Sequence, residues 1–159
     1  MEPGSGGSRS VAFGVVALQG ALLVAFFLAP GRDDWPVPAW LAAAGSIAVL
    51  AGGAILLLAA LNLGRSLTPL PTPAPGGALR TGGLYRFVRH PIYSGLLLLV
   101  LGSAAGSGSV VRLGLAGALL GLLIRKARWE EDMLRRRYPD YGDYARQTPR
   151  FVPRLGRRP

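Results

Sequence analysis

The run from Val11 to Pro30 carries Gln19 as its only strongly polar side chain, and a second apolar run follows from about Ala39 to Leu63. Stretches of this length match the ~20 residues that a helix needs to cross a hydrocarbon layer ~30 Å thick. Inside that layer every backbone N–H and C=O has to be paired within the chain, so the runs are expected to be helices. A cleaved signal peptide is the alternative for the first run, because Arg9 precedes it and small residues follow, but the run is longer than a usual signal core. Two more apolar stretches, Ile92 to Ala105 and Val110 to Ile124, are separated by Gly106, Ser107, Gly108 and Ser109, which predicts a tight helical hairpin. At 1.5 Å per residue each arm of about 14 residues covers only about 21 Å, so polar flanks must extend the helices if they are to cross. The expected fold class is therefore all-α, an integral membrane helical bundle of about four transmembrane helices with a C-terminal helical hairpin and a cytosolic tail. A single membrane domain over residues 1–159 is expected, with 1–10 a disordered lead-in and 11–63 the two N-terminal spans.

Small residues should set how closely these helices pack. Ala44, Ala48 and Gly52 recur every four residues on one face of the second run, and Gly117 and Gly121 form a similar pair in the fourth. In lipid such spacing lets backbones approach.

Charge distribution argues for topology rather than for nucleic-acid binding. The chain has 18 Lys and Arg against 8 Asp and Glu, a formal charge of +10, yet charged residues are only 16% of the total. The basic residues concentrate between Gly64 and Arg89 and again from Arg125 onward, with Arg9, Arg32 and Arg112 elsewhere. Arginines confined to particular loops of an apolar chain are what the positive-inside rule produces. Four crossings then place both termini and the connecting segment, broken by prolines at 69, 71, 73 and 75, on the cytosolic side. The linker from Gly31 to Pro38, with Asp33, Asp34 and Trp35, reads as an external loop at headgroup level. No cysteine and one histidine, His90, remove disulfides, thiolate zinc sites and histidine-rich metal sites, so no metal is expected.

Chemistry-bearing residues gather at two places. Tyr85, Arg86, Arg89, His90, Pro91 and Tyr93 stand at the mouth of the third apolar stretch, while Glu130 and Glu131 lie beyond the fourth, which should continue as helix to about Tyr138 before Pro139 ends it. A hairpin brings those ends together. Ionisable groups at membrane level are costly and default to a functional reading, although headgroup anchoring and local ion pairing would also account for them. The glycines form no GxGxxG loop after a strand, and no GxSxG elbow accompanies His90, so neither a soluble dinucleotide fold nor a serine hydrolase is supported.

The stretch TGGLYRFVRHPIYSG (Thr81 to Gly95), WEEDML (Trp129 to Leu134) and YGDYARQTPRFVP (Tyr141 to Pro153), together with GRSLTPLPTP (Gly64 to Pro73), resembles the isoprenylcysteine carboxyl methyltransferase and phospholipid methyltransferase superfamily. The resemblance implies that 64–159 is a methyltransferase-like catalytic region that binds S-adenosyl-L-methionine at the cytosolic face and methylates a lipophilic small-molecule, lipid or prenylated acceptor. It implies a cofactor pocket lined by Tyr85, Arg89, His90, Pro91, Ile92, Tyr93 and Glu131, with backbone contacts from Gly77, Ala78, Leu79 and Arg80 and with Glu130 holding the cofactor's amino group. On the acceptor side it points to Lys126, where the isoprenylcysteine branch has an arginine, with Arg128 as a possible substitute. His90 is then either a hydrogen-bond donor to the cofactor or a general base. Sterol- and steroid-type membrane reductases have a similar C-terminal region but usually carry an acid after the Tyr-x-Gly step, where this chain has Leu96. A non-catalytic membrane protein retaining the fold is the remaining alternative.

Overall fold

The computed structural model describes residues 5–31, 34–64 and 79–154. It contains five α-helices: α1 (Ser5–Leu28), α2 (Ala39–Leu63), α3 (Pro91–Gly106), α4 (Val110–Arg137) and α5 (Tyr141–Gln147), with a short 3-10 helix at Gly83–Arg86 ahead of α3. There is no strand among the described residues. Helices α1 and α2 are long and apolar enough to cross a membrane, and α3 is a shorter apolar helix. Large side chains such as Phe13, Phe27, Ile47, Leu50, Leu61 and Val110 are exposed around the bundle, the pattern expected where acyl chains are the solvent.

Helix α1 packs on α4, α4 on α3 and α3 on α2. The C-terminal hairpin is thus the centre of the molecule and the two N-terminal helices are its flanks. Phe26, Tyr93, Leu97, Val100, Ala104, Ala116, Leu119, Leu123 and Ala127 form the apolar core along that hairpin. Pro91 at the first turn of α3 supplies the helical φ where no N–H partner is needed. The hairpin turn places Gly108 at φ 62°, and the Ser109 side chain accepts a hydrogen bond from Arg112 N to cap α4.

The α2–α3 contact is the tightest in the bundle, and its register differs from the expected one. Ala44 is exposed. The buried stripe on α2 is Gly45, Gly52 and Ala59, seven residues apart, and it meets Gly102 and Gly95 of the antiparallel α3. A Cβ on Gly45 would lie 2.6 Å from Gly102 O, and one on Gly52 would lie 2.6 Å from Gly95 O and 2.7 Å from Leu99 N. A seven-residue repeat keeps a seam facing its partner through a gentle supercoil, whereas a strict four-residue repeat drifts around the helix. Ala48 does belong to the seam, against Gly102. Gly117 and Gly121 do not form a packing pair, since a Cβ at either would meet nothing within 4 Å. Residues 5–10 also depart from the expected disordered lead-in, because α1 already begins at Ser5.

The end of the bundle away from the arginine-rich region is clasped by polar contacts. Arg112 donates from Nε (3.0 Å) and from a terminal nitrogen (2.8 Å) to Ala29 O at the end of α1. Asp34 accepts from Val110 N at 2.9 Å, and its own N–H donates to Gly108 O at 3.0 Å. The linker expected to be an external loop therefore caps α4 and fixes α1 against the hairpin.

Because Gly52 has backbone on its far side, Gly52→Val should lower stability by about 1–3 kcal/mol. Gly117→Val, facing open space, should change it by no more than about 0.5 kcal/mol. Thermal unfolding in detergent compares the two, and equal losses would show that the seam is not where the close approach matters.

Candidate functional site

The sequence Arg89-His90-Pro91 explains how the site is built. Pro91 starts α3, which leaves Arg89 and His90 in the non-helical lead with their backbone N–H groups pointing away from the helix. Those groups donate to the C-terminal tail, Arg89 N to Pro149 O at 2.9 Å and His90 N to Arg150 O at 3.1 Å. One turn into α3, Ser94 Oγ donates to Phe151 O at 2.7 Å. The tail thus folds back across the start of α3.

Two consecutive glutamates on α4 face this junction. Glu131 is fully buried. It accepts from Arg150 at both oxygens (2.7 and 2.8 Å), from His90 Nε2 at 3.1 Å, and it lies 3.2 Å from Arg89. Glu130 accepts from the Tyr93 hydroxyl and stands 3.4 Å from His90 Nδ1. The His90 and Tyr93 rings lie parallel with centroids 5.3 Å apart, and Phe151 leans on both. On the 3-10 helix, Tyr85 is buried with its carbonyl accepting from Tyr144 OH at 2.5 Å.

The electrostatics follow from these contacts. Burial alone would raise the Glu131 carboxyl, but the hydrogen bonds from Arg150 and His90 and the charge of Arg89 outweigh it and hold the group well below the usual carboxylate range. For His90 burial disfavours the charged ring, yet the hydrogen bonds to Glu130 and Glu131 and their charges more than compensate, so its pKa is raised. Geometry agrees. A neutral imidazole has a single N–H and would turn a lone pair toward one of the two carboxylates, whereas the imidazolium donates to both. Burial, with Glu130 adding to it, pushes the Tyr85 phenol up to about 12.

Of the site residues expected from sequence, Tyr85, Arg89, His90, Pro91, Tyr93, Glu130 and Glu131 are brought together here, with Ile92 packed on the adjoining core. Lys126 is buried on the same side, its Nζ 5.3 Å from the Tyr93 ring centroid and hydrogen-bonded at 3.0 Å to Gln19 Oε1 of α1. Arg128 is not there: at about 100° per residue it sits roughly 200° around the helix from Lys126, and it is exposed. Arg128 therefore cannot stand in for Lys126 without rotating α4. Leu79 is half-buried and Arg80 exposed, with no hydrogen bond to the cluster among the described residues. Gly77 and Ala78 lie outside the described residues.

Sequence reasoning missed Arg150, Phe151 and Gln19 as members of the site. Arg150 was one arginine among many in a tail of unknown course. Gln19 did carry a signal, being the lone amide in an apolar run.

The phospholipid methyltransferase family model matches residues 40–141. The nickel-cobalt-cadmium resistance protein NccN of Alcaligenes xylosoxydans xylosoxydans is 30% identical over 139 residues, covering 84% of this chain and 61% of that protein. The cobalt-zinc-cadmium resistance protein CzcN of Cupriavidus metallidurans is 36% identical over 78 residues, 48% of this chain and 36% of that protein. Methanethiol S-methyltransferase 2 of Bradyrhizobium diazoefficiens is 33% identical over 84 residues, 53% of this chain and 32% of that protein. The chain thus spans less than two thirds of the length of each of these relatives.

The shifts of His90 and Glu131 define a pH window. Glu131, lowered on folding, contributes stability that is present above its unfolded value near ~4.3 and is lost as pH falls through the folded value. His90, raised on folding, contributes stability that is complete below its unfolded value near ~6.5 and is lost as pH rises through the folded value. Melting temperature should therefore decline as pH rises beyond neutrality. His90→Gln should start lower and lack that decline; an unchanged decline would assign it to another group. Glu131→Gln, which strands buried cations, should cost about 3–5 kcal/mol at neutral pH.

Proposed function

The chain belongs to the phospholipid methyltransferase family, and from that premise we propose that it is a membrane-embedded methyltransferase that uses S-adenosyl-L-methionine at the Arg89–His90–Tyr93–Glu130 cluster to methylate a lipophilic acceptor at the cytosolic face. The single observation that carries this reading is the division of labour between the two glutamates. Glu131 is saturated by Arg89, His90 and Arg150, whereas Glu130, held by Tyr93 and His90, keeps part of its surface open, with 17% of its side chain exposed.

The donor set fits the cofactor. S-adenosyl-L-methionine presents a carboxylate, an ammonium, an adenine ring and a sulfonium, so its pocket needs a donor, an acid and aromatic faces. Glu130 supplies the acid for the ammonium. Arg89 Nε is buried with no hydrogen-bond partner among the described residues, a donor suited to an incoming oxygen, and Tyr85, Tyr93 and Phe151 supply aromatic surface. When bound, the cofactor supplies an electrophilic methyl group.

The protein's contribution is positioning. His90 faces Glu131 and Glu130 with its two ring nitrogens, and this makes it a positioning residue rather than a general base, because each nitrogen already has a carboxylate partner. An acceptor that reacts as an anion needs no general base. Glu130, Arg89 and the aromatic faces would hold the cofactor so that an acceptor's lone pair could meet its methyl group in line.

Purified protein in nanodiscs should bind S-adenosylhomocysteine by calorimetry. Glu130→Gln should weaken that binding by about tenfold or more, or about 1.4 kcal/mol, while Asp140→Asn on the exposed connection to α5 leaves it unchanged. Equal effects of the two changes, or no binding by the wild type, would overturn the assignment.

A further inference from the structure

Along its apolar stretch α4 is covered on one side only. Ala116, Leu119, Leu123 and Ala127 define the covered side, where α1 and α3 pack. On the opposite side lie Gly114, Gly117, Gly121, Arg125 and Arg128, all exposed. At about 100° per residue these five fall within about 40° of one line along the helix. A Cβ on any of the three glycines would meet nothing within 4 Å. Glycine weakens a helix interior, and no contact among the described residues calls for it here.

The two arginines at the end of this line are unspent charge. Neither has an ion pair, hydrogen bond or ring contact among the described residues, and Asp132, the acid on the same face, is engaged by Arg135 at 2.9 Å. Arg125 stands directly after Ile124, where the apolar stretch of α4 ends. From Gly114 to Arg125 the helix rises about 16 Å, close to the ~15 Å of hydrocarbon in one leaflet, half of a layer ~30 Å thick. An acyl chain laid over the glycines therefore brings its phosphate level with the guanidinium groups, which bind phosphate through paired hydrogen bonds.

A second copy of the chain is the competing occupant, because glycine faces also pair helices in lipid. Two copies inserted the same way round and related by a twofold axis would set Arg125 against Arg125 and Arg128 against Arg128. With Asp132 already engaged, no acid on this face would separate those charges. Charge thus favours an anion over a second α4.

We propose that the outer face of α4 docks one anionic phospholipid of the surrounding bilayer, with Arg125 and Arg128 on its phosphate and an acyl chain over Gly114, Gly117 and Gly121. Basic side chains at a membrane boundary attract anionic headgroups; here the glycine floor adds a place for the chain. The site lies on the far side of α4 from Glu130 and Glu131 and does not depend on the methyltransferase reading.

The test uses the full chain, delipidated in neutral detergent and titrated with phosphatidylglycerol, phosphatidylcholine or glycerol 3-phosphate, with native mass spectrometry counting the bound molecules. The wild type should hold one phosphatidylglycerol about tenfold more tightly than phosphatidylcholine, or about 1.4 kcal/mol, with the preference shrinking as salt rises. Arg125→Gln with Arg128→Gln should remove the preference, while Arg125→Lys with Arg128→Lys should keep it. Gly117→Leu with Gly121→Leu, which fills the floor and leaves the charges, should weaken phosphatidylglycerol about tenfold without lowering the melting temperature in lipid-free detergent. The proposal is overturned if the two lipids bind alike, if the glutamine pair or the leucine pair binds phosphatidylglycerol as the wild type does, or if glycerol 3-phosphate displaces the lipid at equal concentration. A wild-type dimer that the leucine pair dissociates would also overturn it and assign the face to a second copy.

Discussion

A carboxylate removed entirely from solvent is the constraint on which the rest of the structure depends. An unpaired charge at the Glu131 position would cost several kcal/mol, and the chain neutralises it with groups from three separate places: Arg89 and His90 ahead of α3, Arg150 from the tail and, at the longer distance of 3.7 Å, Arg135 on its own helix. The same segments are also joined by backbone bonds from Arg89 and His90 to the tail and by the Tyr93–Glu130 bond between α3 and α4, and the ion cluster ties all of them to one buried carboxylate. The ion cluster does for the polar end what the Arg112 and Asp34 contacts do for the opposite end. Between the two clasps the described helices meet through apolar and small side chains, with the Lys126–Gln19 hydrogen bond joining α1 to α4.

That arrangement separates two kinds of tolerance. Along α2 and α3 the seam is specified by missing atoms, since Gly45, Gly52, Gly95 and Gly102 allow backbone to rest against backbone. Dispersion and weak Cα–H contacts at such approaches drive association in lipid, where burial of apolar surface contributes nothing. At the polar end, specificity comes from several charges converging on one buried carboxylate. A rigid α2–α3 pair supports α3, and α3 in turn presents His90 and Tyr93 in parallel.

Much of this was legible in the sequence, for identifiable reasons. The hairpin and the long α4 followed from hydropathy and from Pro139, and the meeting of His90 with Glu130 and Glu131 followed from the hairpin. The seam register was not legible, because α2 offers small residues at 42–46, 48, 51–54, 59 and 60 and several faces satisfy a small-residue rule. Only the spacing shared between Gly45, Gly52 and Ala59 on one helix and Gly95 and Gly102 on the other selects the face. The tail was illegible for a different reason: Pro149 and Arg150 are held by their carbonyl groups, which every residue possesses and no side-chain pattern announces.

The same logic bears on the surroundings of the histidine. As a lone histidine near neutrality it invited assignment as an acid or base. Flanked on both ring nitrogens by carboxylates and stacked on Tyr93, it is held in one orientation and its protonated form is favoured. A group that must cycle a proton needs a partner on one side and freedom on the other, and His90 has partners on both. What it provides is a fixed cation between two adjacent acids, so that one of them can be fully satisfied while the other stays open to a ligand.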